Sequence, residues 1–139
     1  MLPDIWGRYA WNFLHLVTLG YPEYPTAEDK ENYYNYLHYL QYVLPCAKCR
    51  NNLSVHLKNY PLTDEILSTR SSFVKWGIDM HNIVNYSIGK PVLSYEEAMN
   101  DINGLAHPHK KSYFNAIYWI LFVIVLIILC LLVYRLKKN

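Results

Sequence analysis

The chain has 139 residues, 53% of them hydrophobic and 16% aromatic, with 13 Lys+Arg against 11 Asp+Glu. Five of those cations (Lys110, Lys111, Arg135, Lys137 and Lys138) flank one long apolar run, so residues 1–109 carry eight basic against eleven acidic side chains, a net charge of −3. A folded part without a basic face excludes a nucleic-acid binder, and three cysteines are too few for a disulfide-built scaffold.

Fourteen tyrosines and only five glycines describe a compact core with a bias towards helix. The first predicted helix runs from Pro3 to Leu19: proline suits a first turn, Asp4 favours that end, and Gly20 with Pro22 stops it. Its apolar stripe is expected at Ile5, Tyr9, Phe13 and Leu16 with Leu14 and Val17. Thr26, with Asp29 three residues on, forms a capping-box pattern for a second helix carrying Tyr33, Tyr36, Leu37, Leu40, Val43 and Leu44, ended by Pro45. A third helix starts at or beside Cys46 and continues through Leu53, Leu57 and Tyr60 to Pro61. Residues 63–70 form a loop or short helix. Ser71 or Ser72 is expected to cap a fourth helix with Phe73, Trp76, Met80, Val84 and Ile88 on one face, ending at Gly89 and Pro91. Ser94, with Glu96 and Glu97, begins a short fifth helix that gives way at Gly104.

From Ala116 to Tyr134 no charge occurs in 19 residues, which at about 1.5 Å per residue spans roughly the 30 Å hydrocarbon core of a bilayer. No segment alternates with period two for long enough to argue for a strand. The expected class is all-α: a four-helix bundle, a short fifth helix and one C-terminal transmembrane helix. The expected division is a folded domain over 1–105, a basic linker over 106–113, a membrane span over 114–134 and a basic tail over 135–139. The N-terminus has no apolar h-region, so no signal peptide is expected. Cations on both sides of the span leave its orientation unsettled by charge; a C-terminal span places the folded domain on the cytosolic side by default.

Three segments carry chemistry. Cys46-Ala47-Lys48-Cys49 at a helix start has the dipole and the Lys48 and Arg50 charges that stabilise a thiolate, as a redox dithiol requires. The same spacing serves a zinc half-site completed by histidines such as His56 and His81, or two unrelated buried cysteines. His81, Asn82 and Asn85 gather on one side of the fourth helix, with Trp76 before them and Gly89-Lys90-Pro91 after; a solvated helix face reads the same way. Trp6-Gly7-Arg8-Tyr9-Ala10-Trp11, followed one turn later by His15, is either a cofactor flank or core aromatics with a hydrogen-bonded histidine.

Taken together, the order Gly-Arg-x-x-Trp-x-x-x-His, then Pro-Cys-x-x-Cys, then Trp-x-x-x-x-His-Asn-x-Val-Asn-x-x-x-Gly-Lys-Pro resembles the FAD-dependent Erv/ALR-type sulfhydryl oxidases over about Trp6 to Tyr95. The resemblance implies a helical bundle holding FAD beside the Cys-x-x-Cys helix. It makes Cys49 the flavin-proximal cysteine and Cys46 the one that exchanges with an incoming dithiol. Gly7, Arg8, Trp11 and His15 then flank the cofactor on one side. Trp76, His81, Asn82, Val84, Asn85, Lys90 and, as a further aromatic contact, Tyr95 flank it on the other. It implies electrons passing through FAD to O2 to give H2O2, a dithiol protein partner and a homodimer through the first two helices, where Tyr33 to Tyr42 could contribute. No metal is implied. The chain lacks the second structural cysteine pair and the shuttle pair common in cellular members, and Cys130 sits alone in the apolar run. That stripped pattern is closer to the forms of large DNA viruses, in which a thioredoxin-like or small shuttle protein is the dithiol partner and the membrane is a host-cell or virion one. The rival readings are a zinc-binding or a non-catalytic membrane-anchored helical adaptor.

Overall fold

In the computed structural model, residues 1–107 and 113–138 are described, the latter from residue 118 onward with side chains. Six α-helices appear among them: α1 (Pro3–Leu19), α2 (Ala27–Val43), α3 (Ala47–Asn59), α4 (Arg70–Ser87), α5 (Tyr95–Ala106) and α6 (Tyr113–Lys138), with a 3-10 turn at Ile66–Ser68 before α4. No strand occurs among the described residues. The chain divides into two compact units, Met1–His107 and Pro108–Asn139.

Local chemistry sets the helix ends. Thr26 and Asp29 cap α2 reciprocally: the Asp29 N–H donates to the Thr26 hydroxyl, and the Asp29 carboxylate accepts from the Thr26 N–H at 2.8 Å. Ser94 and Glu97 repeat the device at α5, which runs through Gly104 to Ala106 because one exposed glycine costs a helix only about 1 kcal/mol. The cap of α4 is Thr69, whose hydroxyl accepts from the Ser72 N–H at 3.1 Å, and not Ser71 or Ser72; those two serines lie inside the first turn. At the other end of α4, Gly89 takes φ +71°, the left-handed conformation that reverses the chain after a helix, and it leads directly to Lys90.

In the first unit α1 packs on α4 and α5, and α2 on α3. Tyr21, fully buried in the α1–α2 loop, meets Tyr33 and Phe73 edge-on at 4.7 and 4.9 Å. Its hydroxyl donates to the Leu67 carbonyl at 2.8 Å, so a core tyrosine ties the 3-10 turn to the bundle. Leu37, Leu62, Leu67, Phe73, Trp76 and Met80 complete this cluster, and Val74, Ile78, Ala98 and Ile102 form a second one beneath α5.

The expected apolar stripe of α1 splits: Leu14 packs on the core and Val17 is half-buried, while the rest faces outward. Ile5, Tyr9, Phe13 and Leu16 are 60%, 74%, 59% and 38% exposed, whereas His15 and Thr18 are buried. Room for that choice comes from Gly77 of α4. A Cβ there would stand 3.2 Å from the Thr18 methyl and 3.8 Å from Leu14, so the bare glycine lets the two helix backbones approach. Thr18 meets Gly77 while His15 meets His81, so α1 and α4 run antiparallel.

In the second unit α6 is a single helix whose segment Tyr118–Lys138 is long and apolar enough to cross a membrane. Arg135, Lys137 and Lys138 occupy its last turn. The greater part of the expected linker, residues 108–112, lies outside the described residues.

Candidate active site

Cys46 and Cys49 are joined as a disulfide, with their Cα atoms 5.1 Å apart. Cys46 is the N-cap of α3, and its sulfur accepts the Cys49 N–H at 3.2 Å, so the cysteine pair is itself the helix start. The Arg50 guanidinium folds back to donate to the Leu44 carbonyl at 2.6 Å, which holds a full positive charge beside the helix N-terminus. Lys48 is exposed. Along α3, Cys49, Leu53, His56 and Tyr60 fall at i, i+4, i+7 and i+11 and are all partly buried, while Lys48, Asn51, Asn52, Val55, Lys58 and Asn59 are exposed. Cys49 is thus on the face turned to the bundle. Tyr60, at the end of that face, stacks on Trp76 at 6.3 Å and donates to Asp79 at 3.0 Å.

The other two segments converge across α1 and α4. Trp11 stacks flat on His81, with ring centroids 4.1 Å apart and planes 10° apart. His15 Nε2 and His81 Nδ1 lie 3.0 Å apart, sharing one hydrogen bond. Burial lowers the His15 pKa. Burial, with the neighbouring His15 and Lys90 charges, pushes His81 down to about 4, so both rings are neutral at pH 7. Two polar atoms here are buried without a partner: His15 Nδ1 and Trp6 Nε1. A Cβ on Gly7 would meet open space, so the flank of α1 one turn before Trp11 is free. The Met1 amine nitrogen donates to the Pro45 carbonyl at 3.3 Å, which places the start of α1 beside the cysteine loop.

Asn82 grips the segment after α4. Its Nδ2 donates to the Leu93 carbonyl at 2.8 Å and its Oδ1 accepts the Leu93 N–H at 3.0 Å. The Asn85 carbonyl accepts the Lys90 N–H at 2.9 Å. Lys90 is held near α1 by Asp4 at 3.7 Å, an exposed pair worth little by itself. Val84 and Asn85 are half-buried, while Arg8 and Tyr95 are exposed.

Trp76 stands apart from this group, 2% exposed in the core between Phe73 and Tyr60. Sequence reasoning did not single out Gly77, Thr18 or Tyr21. The fall of Gly77 four residues before His81 was the one available signal. Among the described residues no three His, Cys, Asp or Glu side chains gather as metal ligands.

Residues 8–103 match the family model described as the Erv1 / Alr family. A protein of Acanthamoeba polyphaga mimivirus named "Probable FAD-linked sulfhydryl oxidase" is 51% identical over 115 residues, covering 83% of this chain and 80% of the relative. The FAD-linked sulfhydryl oxidase of African swine fever virus (isolate Warthog/Namibia/Wart80/1980) is 30% identical over 95 residues, 68% of this chain and 77% of the viral one. The FAD binding domain of Erv1 from Saccharomyces cerevisiae superposes with a TM-score of 0.63 at 24% identity, covering 76% of this chain and 90% of the yeast one, which shows a shared fold. The match runs through the α1 aromatic–histidine flank, the capping disulfide of α3 and the His-Asn face of α4, and the chain belongs to the Erv1/Alr family.

Proposed function

We propose that this chain is an FAD-linked sulfhydryl oxidase that forms disulfides in a dithiol protein, with Cys46 and Cys49 as its exchanging pair. The observation that carries this reading is the Cys46–Cys49 disulfide capping α3, with Cys49 on the inward face. A substrate thiolate attacks Cys46 Sγ, the Cys46–Cys49 bond breaks, and Cys49 leaves as a thiolate favoured by the helix N-terminus and Arg50. The second substrate thiolate then attacks the substrate sulfur of the mixed disulfide and releases Cys46. The substrate loses two electrons and two protons, and the enzyme pair is left reduced. FAD, when bound, would supply the two-electron acceptor for this pair, with O2 as the final oxidant, taking up the two electrons and two protons as H2O2.

The residues present suit that cofactor. Trp6 Nε1 and His15 Nδ1 are buried and unpartnered, and Gly7 leaves open space beside them. Gly7, Arg8, Trp11 and His15 form one flank of the cofactor site. Trp76, His81, Asn82, Val84, Asn85, Lys90 and Tyr95 form the other, Asn82 by fixing the segment that carries Lys90 and Trp76 by fixing α4 against the cysteine helix. The neutral His81 offers a hydrogen bond without a charge, and Lys90 supplies the cation for an anionic group.

The oxidase domain spans 1–105, followed by the basic linker, and α6 anchors it to a host-cell or virion membrane with the domain facing the cytosol. Protease added to intact membranes should then digest the domain; a protected domain would reverse the orientation. The outward stripe of Ile5, Tyr9, Phe13 and Leu16 supports a homodimer through the first two helices, with α1 supplying its aliphatic contact. The dithiol partner is a thioredoxin-like or small shuttle protein.

A visible absorption spectrum of the purified chain tests the function. A flavin band that bleaches with dithiothreitol and recovers in air, but fails to bleach in Cys49→Ser, is the expected result. A folded, colourless protein would overturn the reading.

A further inference from the structure

Between Asn32 and Thr63 the chain carries no Asp or Glu, and it carries Lys48, Arg50 and Lys58. Over the rest of residues 1–109, five cations stand against eleven acids. The acid-free stretch is α2 beyond its N-terminal end, which holds Glu28, Asp29 and Glu31, together with all of α3, and the disulfide lies at the bend of this hairpin. Among the described residues the ion pairs are Arg70–Glu23, Lys75–Asp79 and Lys90–Asp4, so Lys48, Arg50 and Lys58 take part in none of them. Asp79 of α4, which meets Tyr60 just after α3, is engaged by that tyrosine and by Lys75. The surface round the reactive bond is therefore positive on a domain that is otherwise negative.

The same hairpin carries an aromatic cluster that the core does not use. Tyr34, His38 and Tyr42 fall at i, i+4 and i+8 on α2, with Tyr39 beside them. His38 lies 5.7 Å from Tyr34, 5.6 Å from Tyr39 and 5.8 Å from Tyr42. Tyr34, Tyr39 and Tyr42 are 43%, 59% and 60% exposed, and Tyr42 is four residues before Cys46. Tyrosine presents a large contact area at low entropic cost and keeps a hydroxyl in water, which suits a partner that binds and leaves. The aliphatic stripe on α1 is the face that suits permanent burial.

Given the oxidase reading above, on which this step rests, we infer that the tyrosine-and-lysine surface of the α2–α3 hairpin is the docking site of the thiol substrate, and that the substrate presents its dithiol within an acidic polypeptide segment. Whatever attacks Cys46 must cover the surface that adjoins it, and that surface is continuous with the cluster. An acidic segment is drawn to the hairpin and repelled by the rest of the domain, so it arrives with its thiols at the bend. Exchange balances as written above: the substrate dithiol becomes a disulfide as the Cys46–Cys49 bond is reduced.

The test measures oxygen uptake by the full-length chain in detergent with three dithiol peptides, identical except for Asp/Glu, Ser or Lys flanks, and with dithiothreitol as a small neutral thiol. The expected kcat/KM for the acidic peptide exceeds that for the basic one by about tenfold at low salt, and the gap closes at high salt as the charges are screened. In a Tyr39→Ser/Tyr42→Ser double variant, KM for the acidic peptide should rise about fivefold, as loss of exposed aromatic anchors does, with dithiothreitol turnover unchanged. Equal rates on all three peptides, or a preference for the basic one, would overturn the inference while leaving the oxidase reading intact. So would a double variant whose peptide KM is unchanged, or one that loses its oligomeric state on gel filtration, because the cluster would then face a second copy. Absence of turnover with dithiothreitol as well as with peptides would overturn the oxidase reading itself, and this inference with it.

Discussion

Replacing Asn82 by alanine removes both hydrogen bonds that hold Leu93, at 2.8 and 3.0 Å. A neutral hydrogen bond contributes about 0.5–1.5 kcal/mol net, so the pair contributes about 1–3 kcal/mol. Leu93 is 37% exposed, so water can reach its freed N–H and carbonyl, and the expected loss sits in the lower half of that range, about 1–2 kcal/mol. For a unit of this size each kcal/mol lowers Tm by about 4–8 °C, so Asn82→Ala should melt roughly 5–15 °C below the parent. Near-ultraviolet circular dichroism of the full chain in detergent follows the aromatic core of the first unit.

Asn82→Asp sharpens the argument. The carboxylate still accepts the Leu93 N–H but sets a second bare oxygen against the Leu93 carbonyl. Asn82→Asp should therefore be no more stable than Asn82→Ala at pH 7, and should gain on it near pH 4, where the protonated acid regains a donor. An alanine variant melting within 1–2 °C of the parent, or an Asp variant indistinguishable from it, would refute the clasp.

Stability should fall between about pH 6.5 and 4 because His81, with a folded pKa near 4, refuses a proton that the unfolded chain accepts; its contribution is complete above the unfolded value. His81→Gln should flatten that slope in melts at pH 7.5, 5.5 and 4.5. The capping carboxylates act lower still: hydrogen bonds from Thr26 hold Asp29 down and those from Ser94 hold Glu97 down, so both contributions are lost only as those acids protonate. Trp76→Ala should cost about 3–5 kcal/mol in denaturant melts, since its indole is buried between Phe73 and Tyr60. A loss under 1 kcal/mol would mean that the site collapses without a cavity. Gly77→Val would drive a branched side chain into the fully buried Thr18, whose hydroxyl is fixed on the His15 carbonyl, and should cost about 1–3 kcal/mol by the same measurement. A neutral result there would show that α1 and α4 have room to part.

The helices were legible in the sequence because their signals are local. Thr26 with Asp29, Ser94 with Glu97, Pro45 and Gly89 act on the backbone within a few residues, and the observed ends fall within two or three positions of those expected from them. The start of α4 was displaced to Thr69 because Thr and Ser hydroxyls are equivalent caps, and only the 3-10 turn before α4 decides which one stands at the helix end. The spacing of the cysteines put both sulfurs on one turn, which suits a disulfide and a zinc half-site alike, and the structure joins them as a disulfide. The meeting of His15 with His81 across 66 positions had no local signal, and motif order alone brought those segments into one site.

What the sequence determined by itself is the inventory: five helices, a sixth of membrane length, a Cys-x-x-Cys pair at a helix start, and an acidic folded part. What only the tertiary structure decided is which faces meet. Periodicity gives the phase of an apolar stripe about its own helix axis and nothing about the neighbour. The α1 stripe of Ile5, Tyr9, Phe13 and Leu16 was therefore expected inside and stands outside. Trp11, His15 and Thr18 turn inward because Gly77 lets α4 approach there, and a contact between distant backbones leaves no periodic trace in either helix.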